Sequence, residues 1–282
     1  MNRFDTEYVP EHPSDPTLDG RFADRVVIRV PDRHNPKLHR VLERVNADDE
    51  LYTLWLAANV TAIERLGMTD HGPVHVKIVT NIAVRMLRLL VDRGIEPAVV
   101  DTWRMEVHDA EVVVTLASLL HDVGMSIHRD DHESFSLFIA RDILPRLLED
   151  LYDLRERTVI TSEILHAITS HRAGGRPLTV EAGVVRIADA LDMAKGRSRI
   201  PFEAGSLSIH SVSAAAIEAV RIEPGEERPI KLCIEMSNSA GVFQLDQLFR
   251  GKLKGSGLEH HIEVSAELEG ETEKRLVRNF NF

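Results

Sequence analysis

The stretch Leu119-Leu120-His121-Asp122-Val123-Gly124 constrains this chain most: an imidazole and a carboxylate stand side by side at the end of an apolar helical run. Val112, Val113, Leu116, Leu119 and Leu120 recur at helical spacing, which puts the pair where a buried helix meets a cleft. Burying both groups is costly unless something pairs with them, and a divalent metal would do so. Alone, the pair also reads as a capped Asp beside a satisfied core His. His108-Asp109 is the same dipeptide and carries no such signal.

More metal-ligating residue types lie on both sides. His71 and His75, in His71-Gly72-Pro73-Val74-His75-Val76, stand at i, i+4 and share a helix face. Pro73 suits a first helical turn, so His71 falls just before the helix and His75 inside it. Downstream come His128, His132, His166 and His171, then Arg186-Ile187-Ala188-Asp189-Ala190-Leu191-Asp192, an apolar helix with two carboxylates. His166 precedes His171 by five residues and so points to a different face, which reads as structural; His128 reads as loop surface. Asp192 reads as holding the neighbourhood of Asp189 or capping the turn before Gly196. Mixed N/O donors suit Mn, Fe, Co, Ni, Zn or Mg and single out none. No cysteine takes part, which argues against a structural zinc site.

With these residues the chain resembles the HD-domain metal-dependent phosphohydrolases over roughly residues 55 to 200. Their pattern is an early His, a His-Asp pair and a distant Asp, each on a different helix of an all-α core. His75, His121, Asp122 and Asp189 match it. The segment His171-Arg172-Ala173-Gly174-Gly175-Arg176-Pro177 is similar to the loop leading to the last ligand helix in the two-metal branches. Those branches add two His ligands, for which His132 and His171 are the best matches. Two departures stand out: Met125 replaces a Lys common after His-Asp-x-Gly, and Gly175-Arg176-Pro177 stands where the Gly-Tyr-Pro signature of the cyclic di-GMP-cleaving branch would be. The resemblance implies hydrolysis of a phosphate ester, in a nucleotide or related compound, by metal-activated water. It leaves open a two-iron oxygenase, or a metal- and nucleotide-binding regulatory module without turnover. It implies one or two divalent metals, with Asp122 also orienting the water. His71 resembles the proton-donating His of the related cyclic-nucleotide phosphodiesterases, and reads equally as a His flanking a helix.

Phosphate needs cations. Lys195, Arg197 and Arg199 follow the Asp189 helix, and Arg172 and Arg176 follow His171. Lys195, Arg197 and Arg172 are the candidate substrate contacts, Arg being able to grip phosphate with two bonds. The same cations would also suit a solvated helix C-terminus.

Composition sets the outer limits. Hydrophobic residues make up 43%, as in a globular protein, and no apolar run reaches the roughly 18 residues of a membrane span. The first residues lack the apolar stretch of a signal peptide, and the single cysteine, Cys233, excludes an internal disulfide, so a cytoplasmic setting is expected. A formal charge of −11 argues against general nucleic-acid binding. The expected organisation is an N-terminal arm and short strand over 1–34, the strand being 24–30; a helical metal-binding domain over 35–200; and a smaller α+β domain over 201–282. Asn35-Pro36 and Asp48 read as helix starts, Gly94 as a helix end, and Pro145 as breaking or beginning a helix. Beyond Pro201, segments 206–212, 217–222, 230–236, 262–268 and 276–280 alternate like strands, with a turn at Pro224-Gly225 and a helical stripe over 239–254. For the C-terminal domain, forming a homodimer and covering the site are both open roles.

Overall fold

A computed structural model of the chain describes residues 17–23, 25–32, 34–172, 174–194, 213, 216–268 and 280–281. The fold is mainly α. Helices α1 (Leu18–Ala23), α2 (Pro36–Ala47), α3 (Asp49–Asn59), α4 (Pro73–Asp92), α5 (Ala98–Asp101), α6 (Val107–Leu120), α7 (His132–Leu147), α8 (Leu154–Ser170) and α9 (Val180–Leu191) come first. A sheet follows, with strands β1 (Ile217–Pro224), β2 (Ile230–Met236), β3 (Ile262–Leu268) and β4 (Phe280–Asn281) in that spatial order. β1 and β2 are antiparallel through the turn at Pro224-Gly225. β2 and β3 are parallel, Ile230 opposite Ile262, and β4 is antiparallel to β3. A parallel pair needs a crossover. It is supplied by α10 (Gly241–Phe243), a π-helical stretch Gln244–Phe249 and α11 (Arg250–Leu253).

The helix starts follow from side-chain caps. Asn35 Oδ1 accepts from the Leu38 N–H at 2.9 Å with Pro36 in the first turn, and Asp48 Oδ1 accepts from the Leu51 N–H at 2.9 Å. Helix α4 ends at Gly94, whose φ of +79° only glycine adopts readily, and the Ile95 N–H returns to the Leu90 carbonyl. α6 is the most apolar of the long helices and is buried on every side from Asp109 to Leu120. Trp55 of α3 donates to the Leu119 carbonyl at 2.8 Å, which satisfies one buried acceptor that the helix end leaves without a helical partner. Most buried hydrophobic residues form one cluster from Ile28 through the helices to Ala266 of β3, and Ala58, Ala62 and Met125 form a second, small one. Among the described residues no helix is long and apolar enough to cross a membrane.

Two expectations are corrected. Residues 25–30 are irregular, not a strand. Ile28 and Val30 are buried and Val27 and Arg29 exposed, so the alternation reports burial. Side chains take the place of a neighbouring strand: Ile28 N–H donates to Asn46 Oδ1 at 2.8 Å, Asn46 Nδ2 donates to the Ile28 carbonyl at 2.9 Å, and Val26 N–H donates to the Tyr52 hydroxyl at 3.1 Å. Pro145 neither breaks nor begins a helix; it lies in the last turn of α7. So close to the helix end, the missing N–H costs one hydrogen bond, and the chain leaves the helix two residues later. Of the expected strands, 206–212 lies outside the described residues, as do 276–279.

Candidate metal centre

Five helices deliver the site. His75 lies in the first turn of α4; His121 caps the C-terminus of α6 and Asp122 follows it; His132 opens α7; His171 caps the C-terminus of α8; Asp189 sits near the end of α9. His75, His121, Asp122, His132 and His171 are buried and Asp189 nearly so. Donor atoms of three overlapping sets each lie within 4.8 Å of one another: His75, His121 and Asp122; His121, His171 and Asp189; Asp122, His132 and His171.

The turn after α6 is tight for a reason visible in the motif. A Cβ on Gly124 would stand 2.0 Å from the His132 carbonyl and 2.5 Å from the Ser136 nitrogen, so only glycine lets α7 approach. Ser136 Oγ then donates to the His121 carbonyl at 2.7 Å and accepts from the Gly124 N–H at 2.9 Å. Met125 is buried with Ala58 and Ala62.

Each imidazole has its Nδ1 occupied. His75 Nδ1 donates to Asp192 Oδ2 at 2.6 Å, His121 Nδ1 to the Ser118 carbonyl at 2.8 Å and His171 Nδ1 to the Ile168 carbonyl at 2.6 Å. His132 Nδ1 lies 2.9 Å from the Arg129 carbonyl and 2.7 Å from its guanidinium; the carbonyl contact is the one that leaves Nε2 without a proton. All four Nε2 atoms therefore face the centre. His75 Nε2 and His121 Nε2 are 3.2 Å apart, and lie 3.4 and 3.2 Å from Asp122 Oδ2 and 3.6 and 3.7 Å from Asp189 Oδ1. On the other side, Asp122 Oδ1 lies 3.1 Å from His132 Nε2 and 3.7 Å from His171 Nε2. Adjacent donors around a cation with bonds of about 2.1 Å stand about 3 Å apart, so the set fits divalent metals. Two imidazole lone pairs facing each other at 3.2 Å repel unless a cation or proton lies between them.

Without a metal, a proton takes that role. Burial pulls the His121 pKa down, but the charge and hydrogen bond of Asp122, with help from Asp189, raise it to about 10. His171 goes the other way, to about 3, through burial and then the nearby charges of His121 and Lys252. Burial works against both carboxylates, yet cationic partners hold them well below the usual range, His121 foremost for Asp122 and Lys252 for Asp189.

The remaining candidates fall as follows. His71 is buried, donates from Nδ1 to the Thr69 carbonyl at 2.7 Å, and its ring centre stands 5.5 Å from that of His75. His166 accepts from the Leu178 N–H at 3.0 Å, outside the three donor sets, and His128 is exposed. Arg172 is exposed directly after His171. Lys195 and Arg197 lie outside the described residues, as does Arg199. Asp192 caps α9 but takes the His75 ring, a role the sequence reading did not give it. Lys252 was missed altogether: its Nζ lies 2.9 Å from Asp189 Oδ2. So was Arg186, which is buried and donates to the carbonyls of Arg172, Gly175, Gly251 and Lys252.

The family model for the HD domain matches residues 73–194, the span that carries all six candidate ligands. Residues 73–194 of the chain thus form an HD domain, the domain whose metal-ligand pattern the sequence resembles. The chain is 42% identical over 236 residues to the uncharacterized protein MJ1020 of Methanocaldococcus jannaschii, covering 84% of this chain and 90% of that one. It is also 32% identical over 94 residues to ribonuclease Y of Desulforudis audaxviator, a match that covers 33% of this chain and 16% of the ribonuclease.

Proposed function

We propose that this protein is a phosphohydrolase that cleaves a phosphate ester of a nucleotide or related compound with two divalent metals. The observation that carries the reading is the convergence of four Nε2 atoms, each with its Nδ1 occupied, on two carboxylates. His75, His121, Asp122 and Asp189 would hold one ion, and Asp122, His132 and His171 the other. Bound there, such ions would supply a nucleophilic water at neutral pH and stabilise charge developing on phosphorus. Asp122, whose two oxygens face the two halves of the donor set, would be a ligand common to both ions and could orient the water. His71, four residues before His75, would serve as proton donor to the leaving oxygen in its cationic form, giving the Nε2 proton while Nδ1 stays on the Thr69 carbonyl. Lys195, Arg197 and Arg172 hold the phosphate, so Arg197→Ala should raise KM with metal content unchanged. The partial match to a protein named as a ribonuclease supports phosphodiesters among the substrates.

The test is a panel of nucleotides, cyclic dinucleotides, sugar phosphates and short RNA, assayed on the full chain with Mn, Co, Ni, Zn, Fe or Mg. Turnover that disappears with chelator and in Asp122→Ala is expected. Bound metal without turnover of any phosphate ester would instead mark a regulatory module, and iron-dependent oxygen uptake an oxygenase.

A further inference from the structure

Lys252 carries a cation from the C-terminal segment into the ligand cluster. It continues the buried stripe of Leu245 and Phe249, three residues beyond Phe249, on α11. Its Nζ donates to Asp189 Oδ2 at 2.9 Å and also to the His171 carbonyl. The two carboxylate oxygens are thus divided: Oδ1 faces His75 and His121, and Oδ2 faces the ammonium.

The segment bearing this lysine is fastened to the helix bearing the aspartate. Arg186 of α9 donates through Nε to the Lys252 carbonyl at 2.7 Å and through Nη2 to the Gly251 carbonyl at 3.1 Å. Its Nη1 reaches the Arg172 and Gly175 carbonyls, both at 2.7 Å, so one buried guanidinium joins the chain after His171 to α11. Gly183 of α9 lets the two segments approach, since a Cβ there would lie 2.5 Å from the Ser256 carbonyl. The lysine therefore has a fixed base and two acceptors.

We propose that Lys252 is a positioning residue for the metal centre: by holding Oδ2 of Asp189 it leaves Oδ1 alone to face the ion bound with His75 and His121. On this view residues 241–256 complete the site. The proposal rests on the metal-binding reading given above. A carboxylate whose second oxygen is released can turn, or offer both oxygens, and either change alters the coordination. Partners one bond removed from a metal ligand commonly change metal affinity 10- to 100-fold when lost.

The test compares the full-length wild type, Lys252→Met and Lys252→Arg by Mn titration, by the visible spectrum of the Co form and by thermal unfolding without metal. Lys252→Met should unfold cooperatively but at a lower temperature, since Asp189 loses its buried cationic partner, and it should bind the tighter Mn equivalent roughly 10- to 100-fold more weakly with an altered Co spectrum. Lys252→Arg should recover most of the affinity. If Lys252→Met does not fold, Lys252→Gln carries the same comparison. Wild-type affinity and spectrum in Lys252→Met overturn the proposal, all the more if KM alone rises, since the ammonium would then serve the substrate. A wild type that takes up no Mn at all overturns the metal reading itself, a separate result.

Discussion

Asp192 Oδ2 stands 2.6 Å from His75 Nδ1, a bond between the last turn of the helix bearing Asp189 and the first turn of the helix bearing His75. It fixes the tautomer that leaves His75 Nε2 free for a metal and makes that nitrogen more basic. Asp192→Ala should therefore weaken binding of the first metal by roughly 10- to 100-fold. Calorimetric Mn titration measures this. Unchanged affinity would make the bond merely structural.

Asp122 faces His75 and His121 with one oxygen and His132 and His171 with the other. Asp122→Ala should abolish both metals and activity together. His171→Ala removes a ligand from one side only, so elemental analysis of Mn-saturated protein should fall from about two equivalents to about one, by ligand counting. A saturated wild type holding one equivalent rejects the two-metal reading and leaves the first site standing.

Much of the site was legible because its residues sit at helix ends, where sequence signals are strongest. Pro73 placed His75 and the apolar run of α6 placed His121 and Asp122, while His132, His171 and Asp189 were read through the family resemblance. What the sequence hid are pairings between distant segments. Asp192 partners a histidine 117 positions away and Lys252 an aspartate 63 positions away, and no local pattern encodes either. A faint signal existed for both: Asp192 stands one turn after Asp189, and Lys252 is a charge on an otherwise apolar helical stripe. The alternation over 24–30 was misleading because period-two burial needs only an extended chain against a core, and Asn46 and Tyr52 supply the hydrogen bonds that a strand would have given.

Gly124→Ala should damage the protein far from what its size suggests. The added Cβ would meet the His132 carbonyl at 2.0 Å, backbone against backbone, with no flexible side chain to give way. A loss of about 3 kcal/mol is expected, at the upper end for overpacking. The shift of α7 would carry His132 with it. Urea unfolding gives the first quantity and Mn stoichiometry the second; wild-type values in both would show that the turn yields more easily than its packing implies.

The metal-free protein should be most stable near pH 6.5. His121 has its pKa raised to about 10 in the folded state, so its contribution is full below the unfolded value near 6.5 and fades as pH rises towards 10. His132 is raised too and acts in the same sense. His171 is lowered to about 3, so the folded state resists a proton that the unfolded chain accepts, and stability falls as pH drops from 6.5 towards 3. Asp122 and Asp189, both lowered, add to the loss only below about pH 4. A bound metal reverses the alkaline limb, because it requires His121 Nε2 without its proton; its stabilising effect should grow from pH 6 to pH 9 as that proton becomes easier to displace. Thermal unfolding in chelator and in saturating Mn, each at pH 5, 6.5, 8 and 9, separates the two curves. Parallel curves would mean that no proton is exchanged for the metal, which is incompatible with His121 as a ligand.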